Sequence, residues 1–439
     1  MTIERLKSQI LDQIDHNAGK IKEIGEDIFR HPELGYKETR TAGIVSKTLS
    51  DLGLAVTEGL GITGVAARLN TGRPGPNVCV MGELDAVVCP GHPFADPITG
   101  AAHACGHNGQ VASMLGVAAA LVTTGAASKL AGSVTFLGVP AEEFVELEYR
   151  QKLRKQGKIR FLGGKQELLF KGFFNDVDIA MMVHMGSFSE GKKVAMGSTS
   201  NGFIGKLVKY KGKEAHAGAS PHLGINALNA ATLGLMAINA LRETFLDSDH
   251  IRVHPIITKG GDLVNVIPAD VRMETYVRGR TMESILEANQ KVNRALRAGG
   301  DAVGAEVEIE EIPGYLPRRN CPPLDKVFFD NAVELLGETG VEQGSHGAGS
   351  SDMGDLMHIM PAMHPSCGGA KGNGHSEEFL IEDPETAYVL PAKLMALTVV
   401  DLLWDDASLA RKVRADFRPA MSIDEYFAMW DRALGVGAQ

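Results

Sequence analysis

Two short apolar runs, Val78-Cys79-Val80-Met81 and Ser133–Val139, each stop at acidic residues, and an Ala- and Leu-rich stretch over 109–123 separates them. Runs this short, the first bounded by Pro76 and Gly82, read as strands buried on both faces. A helix between two such strands fits a parallel α/β sheet, which gathers ligands at the carboxyl ends of its strands. Those ends carry Glu83 and Asp85 after the first run and Pro140-Ala141-Glu142-Glu143 after the second. Between them lies His103-Ala104-Cys105-Gly106-His107-Asn108, two imidazoles and a thiol in one short stretch. Thiolate and imidazole are donors that a zinc-like ion prefers. Alternate residues of an extended strand end share a direction, so Cys105 and His107 are expected to form a ligand pair, with His103 open as a third. Glu142 and Glu143, adjacent on a strand end, are expected to point in opposite directions. One can then coordinate an ion while the other serves an activated water as general base. His184, closing a strand over 177–184, and the distant His375 add donors enough for one or two ions. Cys, His and Glu together admit manganese or zinc, with cobalt or nickel also allowed.

The rest of the chain frames this site. Ile3, Leu6, Ile10, Ile14, Ile21, Ile24 and Ile28 recur at helical spacing, so a long amphipathic helix opens it. Near residue 196 the pattern changes to strands of alternating polarity about 208–210, 251–257 and 271–277, with helices over 227–241 and 282–298 between them. That order suggests a ferredoxin-like α+β insert over 196–314, which leaves 1–195 and 315–439 as one discontinuous domain. The basic segment 149–165 reads as a solvated helix face. A formal net charge of −10 leaves no footprint for nucleic acid. No apolar run long enough for a membrane span is expected, and the N-terminus lacks the apolar core of a secretory signal. Five unpatterned cysteines fit a reduced, cytoplasmic protein that acts on a small molecule.

The sequence resembles the aminoacylase and carboxypeptidase-type metallohydrolases, specifically the amidohydrolase branch of hippurate, indole-acetyl-amino-acid and aminobenzoyl-glutamate hydrolases. The resemblance rests on His31-Pro32-Glu33-Leu34-Gly35, Gly82-Glu83-Leu84-Asp85-Ala86, the stretch from His103 to Asn108, Pro140 to Glu143, and His216-Ala217. It continues through Asn265-Val266-Ile267-Pro268 and Ser351-Asp352-Met353-Gly354-Asp355. These pieces come in family order and cover nearly the whole chain. The resemblance implies a three-layer, parallel-rich catalytic domain interrupted by a dimerisation lid. It also implies metal ligands at Cys105, His107, Glu143, His184 and His375, with Glu142 as the base. His216 matches a lid histidine that reaches a neighbouring subunit's site, and Asn265 and Arg278 match lid positions that hold a substrate carboxylate. A homodimer or higher oligomer follows from that sharing.

Two departures stand out. Asn108 replaces the Asp usual in hippurate-type members, which removes a negative charge near the ions. Phe144-Val145-Glu146-Leu147 replaces a glycine-rich turn and leads into the basic segment, reshaping a pocket wall. The family also holds a 5-nitroanthranilate aminohydrolase, which exchanges an aryl amine for hydroxyl. The expected reaction is therefore hydrolysis of a C–N bond in a small, carboxylate-bearing, aromatic substrate. Aryl-amine hydrolysis with ammonia release is the alternative chemistry, and a non-catalytic binding module is the rival of another class.

Overall fold

The computed structural model describes residues 2–188 and 191–433. The chain divides into two compact units. The first comprises Met1–Thr199, Arg319–Ser345 and Asp355–Ala420; the second holds Ser200–Arg318, His346–Gly354 and the segment that begins at Met421. The insert expected over 196–314 thus appears as Ser200–Arg318, a run of equal length set four residues later. Residues 346–354 join it, although the sequence placed them with the catalytic part. Side chains explain the join: His346 Nε2 lies 3.0 Å from Asn201 Oδ1, and Arg278 donates to Ser350 Oγ at 2.9 Å.

In the first unit a six-stranded sheet runs in the order Val56–Leu60, Gly64–Asn70, Ser133–Val139, Asn77–Glu83, Ile179–Met181, Ala362–Met363. The last four are parallel, and the first two add an antiparallel edge. Every residue of Asn77–Glu83 and Ser133–Val139 is buried, as strands covered on both faces require. The helix Ile3–Phe29 buries Leu6, Ile10, Ile14, Ile21, Ile24 and Ile28 into the same core as His107–Thr123 and Leu390–Leu403. Each such side chain contributes about 1.5–3 kcal/mol of burial, so this stripe anchors the helix firmly. The stretch Glu385–Leu403 is long and apolar enough to cross a membrane, which the sequence reading overlooked. Its apolar window is 83% buried inside the protein, and it is a core helix.

The second unit is a ferredoxin-like layer of strands under two helices. Gly202–Lys211 lies between Asp270–Gly279 and Glu306–Pro313, all antiparallel. Arg252–Val253 and Ile256–Lys259 both pair with the far side of Asp270–Gly279. Ala227–Leu241 and Met282–Asp301 cover the sheet through Ala230, Ile238, Val292 and Leu296. The second helix starts on a capping box of Thr281 and Ser284.

The basic segment is a solvated face only in part, through exposed Lys152, Lys155 and Lys158. It folds into two short helices, Leu147–Lys155 and Gly164–Phe170, and buries Arg150 and Lys165 completely. Arg150 Nη1 donates to the Leu162 carbonyl at 2.8 Å and the Ala141 carbonyl at 3.4 Å. Replacing Arg150 by Ala leaves a cavity and takes the guanidinium donor from the Leu162 carbonyl, while the Ala141 carbonyl keeps the Gly164 amide. We expect Arg150→Ala to cost about 3 kcal/mol, read as a lowered denaturation midpoint at unchanged slope. A shift below about 0.5 kcal/mol would mean the segment does not pack as described.

Candidate active site

The site sits where the parallel strands end. The strand Asn77–Glu83 delivers Glu83 and Asp85, and Ser133–Val139 delivers Glu142 and Glu143. Cys105 and His107 do not lie on an extended strand, as alternation had suggested. Gly106 takes a left-handed conformation, φ 86°, and His107 is the first residue of the helix His107–Thr123. A Cβ at Gly106 would also stand 2.7 Å from Met185 Cβ, so only glycine serves this turn.

The two glutamates likewise do not diverge. Ala141 sits at φ 50°, its amide held at 2.7 Å by buried Glu38, and the chain turns there rather than continuing the strand. As a result Glu142 Oε2 and Glu143 Oε1 both come within 3.9 Å of His107 Nε2.

Five side chains expected as ligands converge. The donor atoms of Cys105, His107 and His184 lie within 4.8 Å of one another, and so do those of Cys105, Glu143 and His375. Cys105 Sγ is common to both groups and stands 3.4 Å from His184 Nε2. Backbone carbonyls set the imidazole tautomers. His107 Nδ1 donates to the Asp85 carbonyl at 2.9 Å, and His184 Nδ1 donates to the Met185 carbonyl at 2.6 Å. Each ring therefore turns an Nε2 lone pair inward. His375 is placed by its own amide, which donates to the Ala104 carbonyl at 2.7 Å, at a left-handed φ of 61°. Such backbone strain in a non-glycine residue recurs at functional positions.

The electrostatics ask for positive charge. Burial and Glu143 push the Cys105 thiol up, but the His107 and His184 imidazoles outweigh them and bring it down to about 6. Burial raises Glu143, and His375 outweighs that to hold it at about 2. Cys105 and Glu143 in turn push His375 up to about 11. Burial alone would lower His107, yet Glu83 and Cys105 hold it well above the usual imidazole range. An anionic set that draws protons onto its imidazoles is one that a divalent cation can satisfy instead. His107 Nε2 and Glu143 Oε1 are buried against other candidate donors, Glu83 Oε2 at 2.9 Å and His375 Nε2 at 3.2 Å, close contacts that an ion could share.

The remaining expected residues fall elsewhere. His216, Asn265 and Arg278 belong to the second unit. His216 is exposed, and its Nδ1 accepts from the amides of Gly218 and Ala219 at 3.2 and 3.0 Å, so its neutral ring carries the proton on Nε2. Residues 215–217 bridge 265–267, which puts Asn265 beside His216. The Arg278 guanidinium lies 5.2 and 5.4 Å from the centroids of the touching Phe203 and Tyr276 rings and donates to His254 Nε2 at 3.1 Å. His103 is buried with neither ring nitrogen hydrogen-bonded, and it stands outside both donor groups. Asn108 turns its amide to the Gly25 carbonyl and Tyr388 Oη, at 3.1 and 3.0 Å. A carboxylate could not donate to that carbonyl, so the departure from Asp is tied to helix packing.

Sequence reasoning gave Asp85 and Glu83 no firm role. Asp85 Oδ2 accepts from the Glu143 amide at 2.9 Å while its carbonyl orients His107, so one residue places two donors. Their position at a strand end was the available signal. Lys165, which reaches Glu83, carried none.

Residues 79–397 match the Peptidase family M20/M25/M40, and the chain belongs to that family. The Xaa-Arg dipeptidase of Mus musculus is 29% identical over 441 residues, covering 95% of this chain and 93% of the relative. The indole-3-acetyl-aspartic acid hydrolase of Enterobacter agglomerans is 25% identical over 423 residues, covering 91% and 92%. A solved dinuclear metal-binding peptidase of the M20 family from Bacillus subtilis shares the fold. Its TM-score is 0.63 at 21% identity, covering 89% of this chain and 99% of that one. Fold, donor set and family together define a metal-dependent hydrolase.

Proposed function

We propose that this protein hydrolyses a C–N bond in a small, carboxylate-bearing, aromatic substrate, with Glu142 as the general base. The observation that carries the reading is the convergence of Cys105, His107, Glu143, His184 and His375 beside the nearly buried Glu142. Those five residues would hold one or two divalent ions. A bound ion would supply a Lewis acid for the electrophile and make water acidic enough to ionise near neutral pH. Glu142 takes the proton from the attacking water and delivers it to the leaving nitrogen, so base and acid are one group. Asp85 keeps His107 and Glu143 in place through the turn. His216 Nε2–H donates to the scissile carbonyl as it gains negative charge. Arg278 pairs with the substrate carboxylate through its planar fork. Both named relatives act next to an amino-acid carboxylate by their names, which favours amide over aryl-amine chemistry here.

A homodimer or higher oligomer would bring His216 to a neighbouring subunit. The second unit supports this with exposed apolar residues on an edge strand and a helix: Ile256 is 60% and Met236 62% exposed. The deciding test is product release by Mn-loaded protein from acyl-amino acids, aminobenzoyl-glutamate and aminoaryl acids including 5-nitroanthranilate. Release of an amino acid supports the amide reading. Ammonia from an aryl amine would replace it with the aminohydrolase reading. No product from either panel, with metal bound, would favour a binding module.

A further inference from the structure

Glu83 reaches deeper into the donor cluster than its place behind the expected ligands suggests. It is 1% exposed, and each carboxylate oxygen is differently engaged. Oε1 accepts from the Nζ of fully buried Lys165 at 2.5 Å. Oε2 accepts from Gln110 Nε2 at 2.9 Å and stands 2.9 Å from His107 Nε2. That last contact is the ion pair of a protonated His107 with the carboxylate. A divalent cation, which needs the imidazole deprotonated, would take the place of that proton between the same two donor atoms. Glu83, His107 and Glu142 also offer donor atoms within 4.8 Å of one another.

Resting on the metal-centre reading above, we infer that Glu83 is a sixth protein ligand, presented as a single oxygen and adjacent to His107 on the same ion. Lys165 occupies the other oxygen, so Glu83 cannot chelate through both, and its ammonium offsets the added negative charge. Ligand spacing then bears on the ion. Two donors about 2.1 Å from a metal stand about 3.0 Å apart at an octahedral right angle and about 3.4 Å apart in a tetrahedron. The 2.9 Å between Glu83 Oε2 and His107 Nε2 matches the octahedral edge. An oxygen donor added to the set favours a higher coordination number, hence Mn(II) or Co(II) over four-coordinate Zn(II).

The test uses the full-length protein, Glu83→Gln and Glu83→Asp, stripped of metal and titrated calorimetrically with Mn(II) and with Zn(II). The visible spectrum after Co(II) loading is the second readout, and melting of the metal-free proteins checks folding. Glu83→Gln keeps an acceptor for Lys165. Glu83→Asp keeps the charge and withdraws the oxygen by one methylene, so either variant that folds decides the matter. We expect Mn(II) affinity to fall at least about tenfold, Zn(II) affinity to fall less, and the weak Co(II) bands of the parent to intensify as coordination number drops. A parent-like Mn(II)-to-Zn(II) ratio and an unchanged Co(II) spectrum in a folded variant would overturn the assignment of Glu83 alone. A parent that takes up no divalent ion would overturn the metal-centre reading and this inference with it.

Discussion

Cys105→Ala is expected to lower affinity for every divalent ion the protein binds by more than about 100-fold. The reason is the shared position of its sulfur: Sγ belongs to two of the three donor groups, so one substitution removes a ligand from each of those two. His184→Ala and His375→Ala each touch a single group and should spare part of the binding. The comparison is made on metal content by mass spectrometry after dialysis, followed by titration of the stripped proteins. The pH dependence has a definite sign. Metal binding needs the thiolate, and Cys105 in the cation-free site is held at about 6. The thiolate component of affinity is therefore fully present above that value and is lost as pH falls through it. It should be missing in Cys105→Ala, while release of the His107 and His375 protons keeps total affinity rising at higher pH. Retention of parent metal content would show that the sulfur is not the common ligand.

The sequence made some elements legible because their causes are local. The isoleucine spacing of the opening helix is a periodicity, and the same residues line the core. The strands Asn77–Glu83 and Ser133–Val139 are legible for a related reason, since burial on both faces demands unbroken apolar runs. The five convergent donors could be named from short motifs in family order. What failed was every inference about direction. Strand alternation mispredicts Cys105 with His107, and Glu142 with Glu143, because left-handed turns at Gly106 and Ala141 interrupt the strands on which it depends. Gly106 advertises such a turn and alanine does not; the Ala141 amide is held by Glu38, 103 residues away. Lys165 looked like one charge in a solvated run for the same reason. Its burial is justified by Glu83, 82 residues distant in the chain, and no window around residue 165 contains that partner.

Glu142→Gln tests the chemistry rather than the assembly. The substitution keeps size and shape at a residue 6% exposed and withdraws only the ability to take a proton. General acid–base catalysis typically contributes 10²–10⁴-fold, so kcat should fall by about 10³, or about 4 kcal/mol of barrier. Metal content should stay close to the parent level, because Glu142 joins only the group of Glu83 and His107, whose own donors remain. Its neighbour supplies the contrast. Glu143 Oε1 stands 3.2 Å from His375 Nε2 inside one of the two groups that share Cys105, so Glu143→Gln should lose metal and activity together. Steady-state kinetics on whichever substrate the product screen identifies, with metal analysis of the same samples, separates the two glutamates. If Glu142→Gln retains kcat within about tenfold, proton transfer runs through another group. If it loses metal as Glu143→Gln does, the division of labour between the adjacent carboxylates is wrong. A large fall in kcat at full metal occupancy would make Glu142 the base and leave Glu143 as the ligand.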